Sequence, residues 1–295
     1  MTYLPALLGL STAVSYGTAD FLSRRQSARV GHYRTTVYVQ VTTLVVLLCL
    51  LPILRPPLHL TTLTAVLLTI FGLVYFFAFI FLYSALRVGV VSVIAPIAYT
   101  YPAITAILAV LLLGAVLTLQ TSLALAAIIV GVVLLSTKFS ELQAALGGRR
   151  RAALTAGIGS AVMASAAFGT VYLCVGYVTP IVGYFAPALF LRVVGTLTGF
   201  VLAPIRKERV RPNRESLSGT VVAMGVLEAV GFLSFSFAVS LGGSNLPIVA
   251  ALSGMGAAVV IIYAMVFLHE RLERNQLVGA LLSLIGVFAL LYFTG

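Results

Sequence analysis

Apolar residues run along this chain in ten long stretches, at residues 3–23, 33–54, 62–86, 89–114, 118–137, 152–177, 182–204, 217–241, 245–268 and 274–293, and the charges fall between them. A helix needs about 20 consecutive apolar residues to span a bilayer, and each stretch is near that length. The pattern predicts an all-α membrane protein of ten transmembrane helices. Strands of a membrane barrel would be about ten residues long and would alternate in and out, and no such alternation occurs. The first stretch has neither a basic leader nor a small-residue cleavage site, so it reads as a retained span, not a signal peptide.

Composition agrees. Hydrophobic residues make up 61% of the 295 and charged ones only 8%, against about 25% charged in a soluble domain. The net charge of +11 raises nucleic acid as a partner. The basic residues, however, sit in short gaps between spans, where positive charge orients a membrane protein and meets anionic lipid headgroups. Nucleic acid is therefore excluded as a partner and membrane lipid expected. The gaps after the odd-numbered stretches hold sixteen Lys and Arg, from Arg24 to Arg274, and the opposite side holds only Arg55. That bias places both termini outside the cytoplasm. Cys49 and Cys174 fall inside predicted spans, with no pairing or metal spacing.

The chain also matches itself. At an offset of 152, Tyr16-Gly17-Thr18 falls on Phe168-Gly169-Thr170 and Pro52 on Pro204. At 153, Gly72 and Gly89 fall on Gly225 and Gly242, and at 155, Leu117 falls on Leu272 and Gly131 on Gly286. The two units are residues 1–140 and 152–295, with five stretches each. An odd number of crossings forces the second unit to lie upside down relative to the first. Two inverted five-helix repeats are the plan of many secondary transporters, which bind cargo near the midplane between the halves.

The hairpin residues Leu268-His269-Glu270-Arg271-Leu272, followed by Gln276-Leu277-Val278-Gly279-Ala280 and Gly286-Val287, resemble the "L-G-E-R-L … G-A … G-V" hairpin of the drug/metabolite transporter superfamily in its ten-helix EamA form. The first-half counterpart, Gly114-Ala115-Val116-Leu117-Thr118, lacks the Glu and Arg. That loss agrees with an outward-facing turn. The resemblance implies a carrier of amino acids, nucleotide sugars, amines, drugs or other small metabolites. It also implies a peripheral fifth helix in each repeat. The small-residue faces Ala127-x-x-x-Gly131 and Gly279-x-x-x-Ser283 are then expected to pack the halves together or to join a neighbouring protomer in a homo-oligomer.

Ionisable residues inside spans are costly and are functional candidates for that reason. Glu228 sits mid-span in the eighth stretch, beside Met224, Gly225, Phe232, Phe235 and Ser236 on one helical face. Desolvation disfavours its ionised form, which suits it to take up a coupling proton or to face a cationic cargo group. Arg192 sits mid-span in the seventh stretch, with Glu228 as its natural partner. The two either lock together or divide between the ends of a zwitterionic cargo, and the sequence leaves both readings open. Asp20 stands one turn after Tyr16 and one turn before Arg24, a spacing that fits an ion pair at a helix end. Tyr75, Phe79 and Tyr83 share one face of the third stretch, the repeat mate of the eighth, so Tyr75 aligns with Glu228 and Tyr83 with Ser236. The two faces are expected to line one cavity, joined by Tyr99, Tyr101 and Tyr172. Pro96 and Pro102 should interrupt the fourth helix, and Pro187 the seventh.

No enzyme constellation, metal spacing or cofactor-binding motif appears. His32, His59 and His269 are scattered, and no phosphate-binding Gly-Lys motif is present. The reading is a secondary transporter, an exporter of a small polar or amphipathic metabolite such as an amino acid, in a bacterial-type inner membrane. A carrier of organic cations and a non-transporting scaffold are the alternatives. A topology reporter fused after Gly295 is expected to be active only outside the cytoplasm. Activity inside would mean that the orientation or the number of spans is wrong.

Overall fold

The computed structural model describes residues 3–88, 94, 97–137, 139–140, 151–210, 218–242, 245–268 and 272–294. The helices are α1 (Leu4–Val30), α2 (His32–Leu54), α3 (Thr62–Val88), α4 (Tyr101–Leu113), α5 (Leu119–Ser136), α6 (Arg151–Val182), α7 (Phe185–Ile205), α8 (Gly219–Ser240), α9 (Asn245–Ser253), α10 (Gly256–Leu268) and α11 (Arg274–Thr294). The described residues hold no strand. Among the described residues six helical spans are long and apolar enough to cross a membrane: α2, α3, α6, α7, α8, and α9 with α10 taken as one.

Three boundaries depart from the sequence expectation. α1 runs seven residues beyond the apolar stretch, so Arg24, Arg25 and Arg29 lie on its last turns and the link to α2 shrinks to Gly31. Gly31 holds a φ of 91°, a left-handed conformation that a residue without a Cβ reaches freely. α1 is also less apolar than the other long helices, because its inward face carries Thr12, Ser15, Tyr16, Asp20, Ser23, Gln26 and Ser27, all buried. The ninth stretch breaks at Gly254–Met255 into α9 and α10 with no proline at the break. Pro102 begins α4 instead of interrupting it, and a turn at Tyr99–Thr100 separates α4 from helical residues 97 and 98. Pro96 lies outside the described residues. Pro187 falls in the first turn of α7, where the missing N–H has no helical partner to lose, so the expected interruption does not occur.

The repeats are visible in the packing. A Cβ built on Gly72 of α3 would lie 2.7 Å from the Val194 side chain of α7. At the repeat-equivalent position, a Cβ on Gly225 of α8 would lie 2.5 Å from Thr42 of α2. The same exchange relates α5 and α11. Gly131 faces Gly279 and Ser283, while its mate Gly286 faces Ala124 and Ile128. Contacts that swap partners in this way mark a pseudo-two-fold axis, and five crossings per repeat invert one copy relative to the other. The small-residue faces therefore pack the two halves against each other. Gly131 and Ser283 serve as expected, but Ala124 takes the role expected of Ala127, which is only half-buried.

Polar contacts fasten one end of α2 to α7 and to the segment that follows it. Arg34 Nε donates to Glu208 at 3.0 Å, and the Tyr33 hydroxyl donates to the Gly199 carbonyl at 2.6 Å. Apolar side chains such as Leu111, Leu123, Ile285 and Phe288 cover the outer surface, as lipid contact requires.

The backbone approach at Gly279 leaves no room for a side chain, since a Cβ there would lie 2.2 Å from the Leu135 amide nitrogen. Gly279→Val is expected to lower stability in detergent by about 3 kcal/mol or more, the upper range of overpacking. Gly159→Ala, with nothing within 4 Å of the new Cβ, should be neutral or slightly stabilising. Thermal unfolding of the purified variants measures both, and an unperturbed Gly279→Val would disprove the close α5–α11 crossing.

Candidate functional site

α7 carries Arg192 toward the interior, where it is 1% exposed. Its Nη2 donates to Glu228 Oε2 of α8 at 2.8 Å and to the Tyr75 hydroxyl of α3 at 3.0 Å, and its Nη1 donates to Gln40 Oε1 of α2 at 3.0 Å. The guanidinium carbon also lies 4.8 Å from the Tyr75 ring centre and 5.2 Å from that of Phe79. A buried arginine requires a counter-charge and filled donors. Here three helices, α2, α3 and α8, supply them. The sequence left open whether Arg192 and Glu228 pair or divide between two ends of a cargo; in the structure they are paired.

Gln40 is the member that sequence reasoning missed. Its signal was present, because Gln40 lies 152 residues before Arg192, the offset of the repeat. Two repeat mates in direct contact must straddle the pseudo-two-fold axis. Arg192 also touches both Tyr75 and Glu228, which are mates of each other. The polar centre of the molecule thus sits on the axis.

Asp20 departs from expectation. It forms no ion pair with Arg24, which is exposed. Its buried carboxyl accepts instead from the Tyr99 hydroxyl at 2.6 Å. The helix turns Asp20 inward because it continues the buried polar face of α1, whereas Arg24, one turn further on, is exposed.

A pocket lies between the repeats. Asp20 and Glu228 line it, together with Tyr16, Phe79, Leu82, Ala98, Tyr99, Tyr101, Phe168 and Tyr172. Among the described residues no lysine, arginine or histidine does. The rings of Tyr101 and Tyr172 stack with centres 5.2 Å apart, and Tyr172 meets Phe235 at 4.6 Å. The Tyr101 hydroxyl bonds Ser253 at the end of α9 at 2.9 Å. Of the third-helix aromatics, Phe79 lines the cavity, Tyr75 holds the arginine and Tyr83 packs edge-on against Phe79. Among the described residues the buried hydroxyl of Tyr83 has no hydrogen-bond partner. Tyr16 and Phe168 reached the sequence reading only as a repeat pair. Their equivalence was itself the signal, since both end on the same wall. Among the described residues no three His, Cys, Asp or Glu side chains cluster as metal ligands would.

The lock predicts strong coupling. Glu228→Gln and Arg192→Met should each cost about 3–5 kcal/mol, because each leaves a buried charge or polar fork unanswered. The double variant should recover a large part of that loss. A double-mutant cycle on thermal stability in detergent checks this, and additive losses would refute the lock.

The chain matches the EamA-like transporter family twice, over residues 4–137 and 155–292. No curated protein matches it. One solved structure, named only as the crystal structure of a protein, aligns with 97% of this chain and 95% of its own at a TM-score of 0.73 and 17% identity. At that identity the likeness speaks for the fold alone. With both repeats matched over nearly the whole length, the chain belongs to the EamA-like transporter family, membrane proteins of the drug/metabolite transporter superfamily.

Proposed function

We propose that this chain is a secondary active transporter that exports a small amphipathic metabolite by alternating access, with cargo held in the cavity between the repeats. One observation carries the reading. The space between the repeats is walled by aromatic rings yet contains two carboxyl groups from opposite repeats, Asp20 and Glu228. Apolar walls with a few convergent polar groups are the signature of a small-molecule site, and an interior serving only as a scaffold gains nothing from acids placed there.

Between amino acids and organic cations as cargo, the geometry favours the cation. The carboxylate of an amino acid would need a positive partner, and the arginine near the site is committed to Glu228, Tyr75 and Gln40. Proton coupling is assigned to Asp20 for the same reason, since Arg192 already balances Glu228. The breaks at Tyr99–Thr100 and Gly254–Met255 supply places where helices can swing without disrupting a continuous hydrogen-bond ladder. Outward transport, termini outside the cytoplasm and an inner membrane of bacterial type complete the proposal. They rest on the family and on the arrangement of basic residues.

Ala98 lines the cavity and is buried, so Ala98→Leu fills the space that cargo must enter. The wild-type protein in detergent should be stabilised by one or more compounds from a metabolite screen, by about 2.7 kcal/mol at a hundredfold excess over Kd. The same compounds should cross proteoliposome membranes. Ala98→Leu should fold, lose the stabilisation and lose the transport. A wild-type protein that neither binds nor moves any screened metabolite would favour the scaffold.

A further inference from the structure

The two acids of the cavity are not equivalent. Glu228 has Arg192 at 2.8 Å. Asp20 has the Tyr99 hydroxyl at 2.6 Å and no cation. The groups that share its cavity are Tyr16 from α1, Tyr99 and Tyr101 from the start of α4, Tyr172 from α6 and Glu228 from α8. None carries positive charge. A carboxyl removed from water without a cation takes up a proton instead, so Asp20 is the group in the cavity at which an incoming cation can replace that proton.

Tyr99, the group that occupies this carboxyl, belongs to an irregular piece of backbone. It lies in the turn that separates helical residues 97 and 98 from α4, at the height where the other repeat breaks between α9 and α10. Its hydroxyl therefore ties α1 to a point where the α4 segment can bend. We propose that the Asp20–Tyr99 hydrogen bond is a latch opened by an ammonium-bearing cargo, whose N–H donors take the Asp20 carboxylate and release Tyr99. This inference rests on the carrier reading and assigns its cargo class and its opening step. The rings of Phe79, Phe168, Tyr101 and Tyr172 offer π faces to the cation. The Tyr16 hydroxyl, which faces those of Tyr75 and Tyr172, is placed to meet a second polar group on the cargo. A carboxylate on the cargo would instead face Asp20 and Glu228, so zwitterions and anions are rejected.

The test uses the full-length protein in detergent and three probes built on one phenylethyl frame: phenethylamine, 2-phenylethanol and phenylalanine. Isothermal titration should show the amine binding about tenfold or more tightly than the alcohol, with phenylalanine weakest. Tyr99→Phe should bind the amine several-fold more tightly than wild type, because no latch has to be broken. A Tyr99 that served only to pack the site would not give tighter binding on losing its hydroxyl. Asp20→Asn should lose the preference for the amine over the alcohol. If Asp20→Asn does not give monodisperse protein, Asp20→Glu replaces it. That variant keeps the charge and must keep the preference at altered affinity. Weaker or unchanged amine binding by Tyr99→Phe overturns the latch. So does an amine preference that survives Asp20→Asn, or one that Asp20→Glu abolishes. Equal binding of all three probes to the wild type overturns the latch while leaving a cargo cavity in place. Absence of binding by all three also overturns it, and the carrier reading then stands or falls separately on the metabolite screen.

Discussion

An arginine buried at the centre of a membrane protein has to be answered by several elements at once, and this requirement organises the interior. Arg192 collects its partners from α2, α3 and α8 while extending from α7. Each of those helices must hold a fixed depth and rotation for the donors to reach. The glycine crossings at Gly72 and Gly225 permit that approach, bringing α3 against α7 and α8 against α2 without intervening side chains. Charge neutralisation and close packing therefore depend on each other. Loosening either crossing would pull acceptors away from a guanidinium that has no water to replace them.

The backbone obeys the pseudo-two-fold far better than the side chains do. Equivalent glycines make equivalent contacts, yet the positions near the axis differ in chemistry. Gln40 answers to Arg192, Tyr75 to Glu228, and Asp20 to Tyr172. In each pair one repeat supplies a charge and the other a neutral polar or aromatic group. Symmetric scaffolding gives both halves of a carrier comparable ways to move. Unequal side chains place the charges once, so that the centre holds one cation and two acids instead of two copies of each.

The architecture was legible because it follows from properties that the sequence carries openly. Ten apolar stretches, self-matching glycines and an odd number of spans per repeat lead directly to an inverted pair of five-helix units. The pairing of Arg192 with Glu228 was also readable, since a mid-span cation has few acids to choose from. The break at Gly254–Met255 was not readable, because it depends on how Ser253 and its neighbours pack rather than on a proline. The direction of Asp20 was misjudged for a related reason. Spacing alone permits the pairing with Arg24. The choice of Tyr99 depends on α1 rolling a polar face inward, which shows only when the whole helix is placed.

That polar face explains why α1 is the least apolar of the long helices. Thr12, Ser15, Tyr16, Asp20 and Ser23 are all buried, so their cost is met inside the protein, not in lipid. Thr12 donates to the Gly231 carbonyl of α8 at 3.1 Å, and Ser11 meets Ser234 at 3.3 Å. α1 is thus hydrogen-bonded across the repeat boundary over the same length that carries Asp20 to the cavity. A helix held to the opposite repeat by such bonds, and to the broken α4 segment through Tyr99, joins the two units, which the proposed alternating access would have to separate. Its polarity is then a requirement of position: an apolar α1 would cross the membrane equally well but would connect nothing to the cavity.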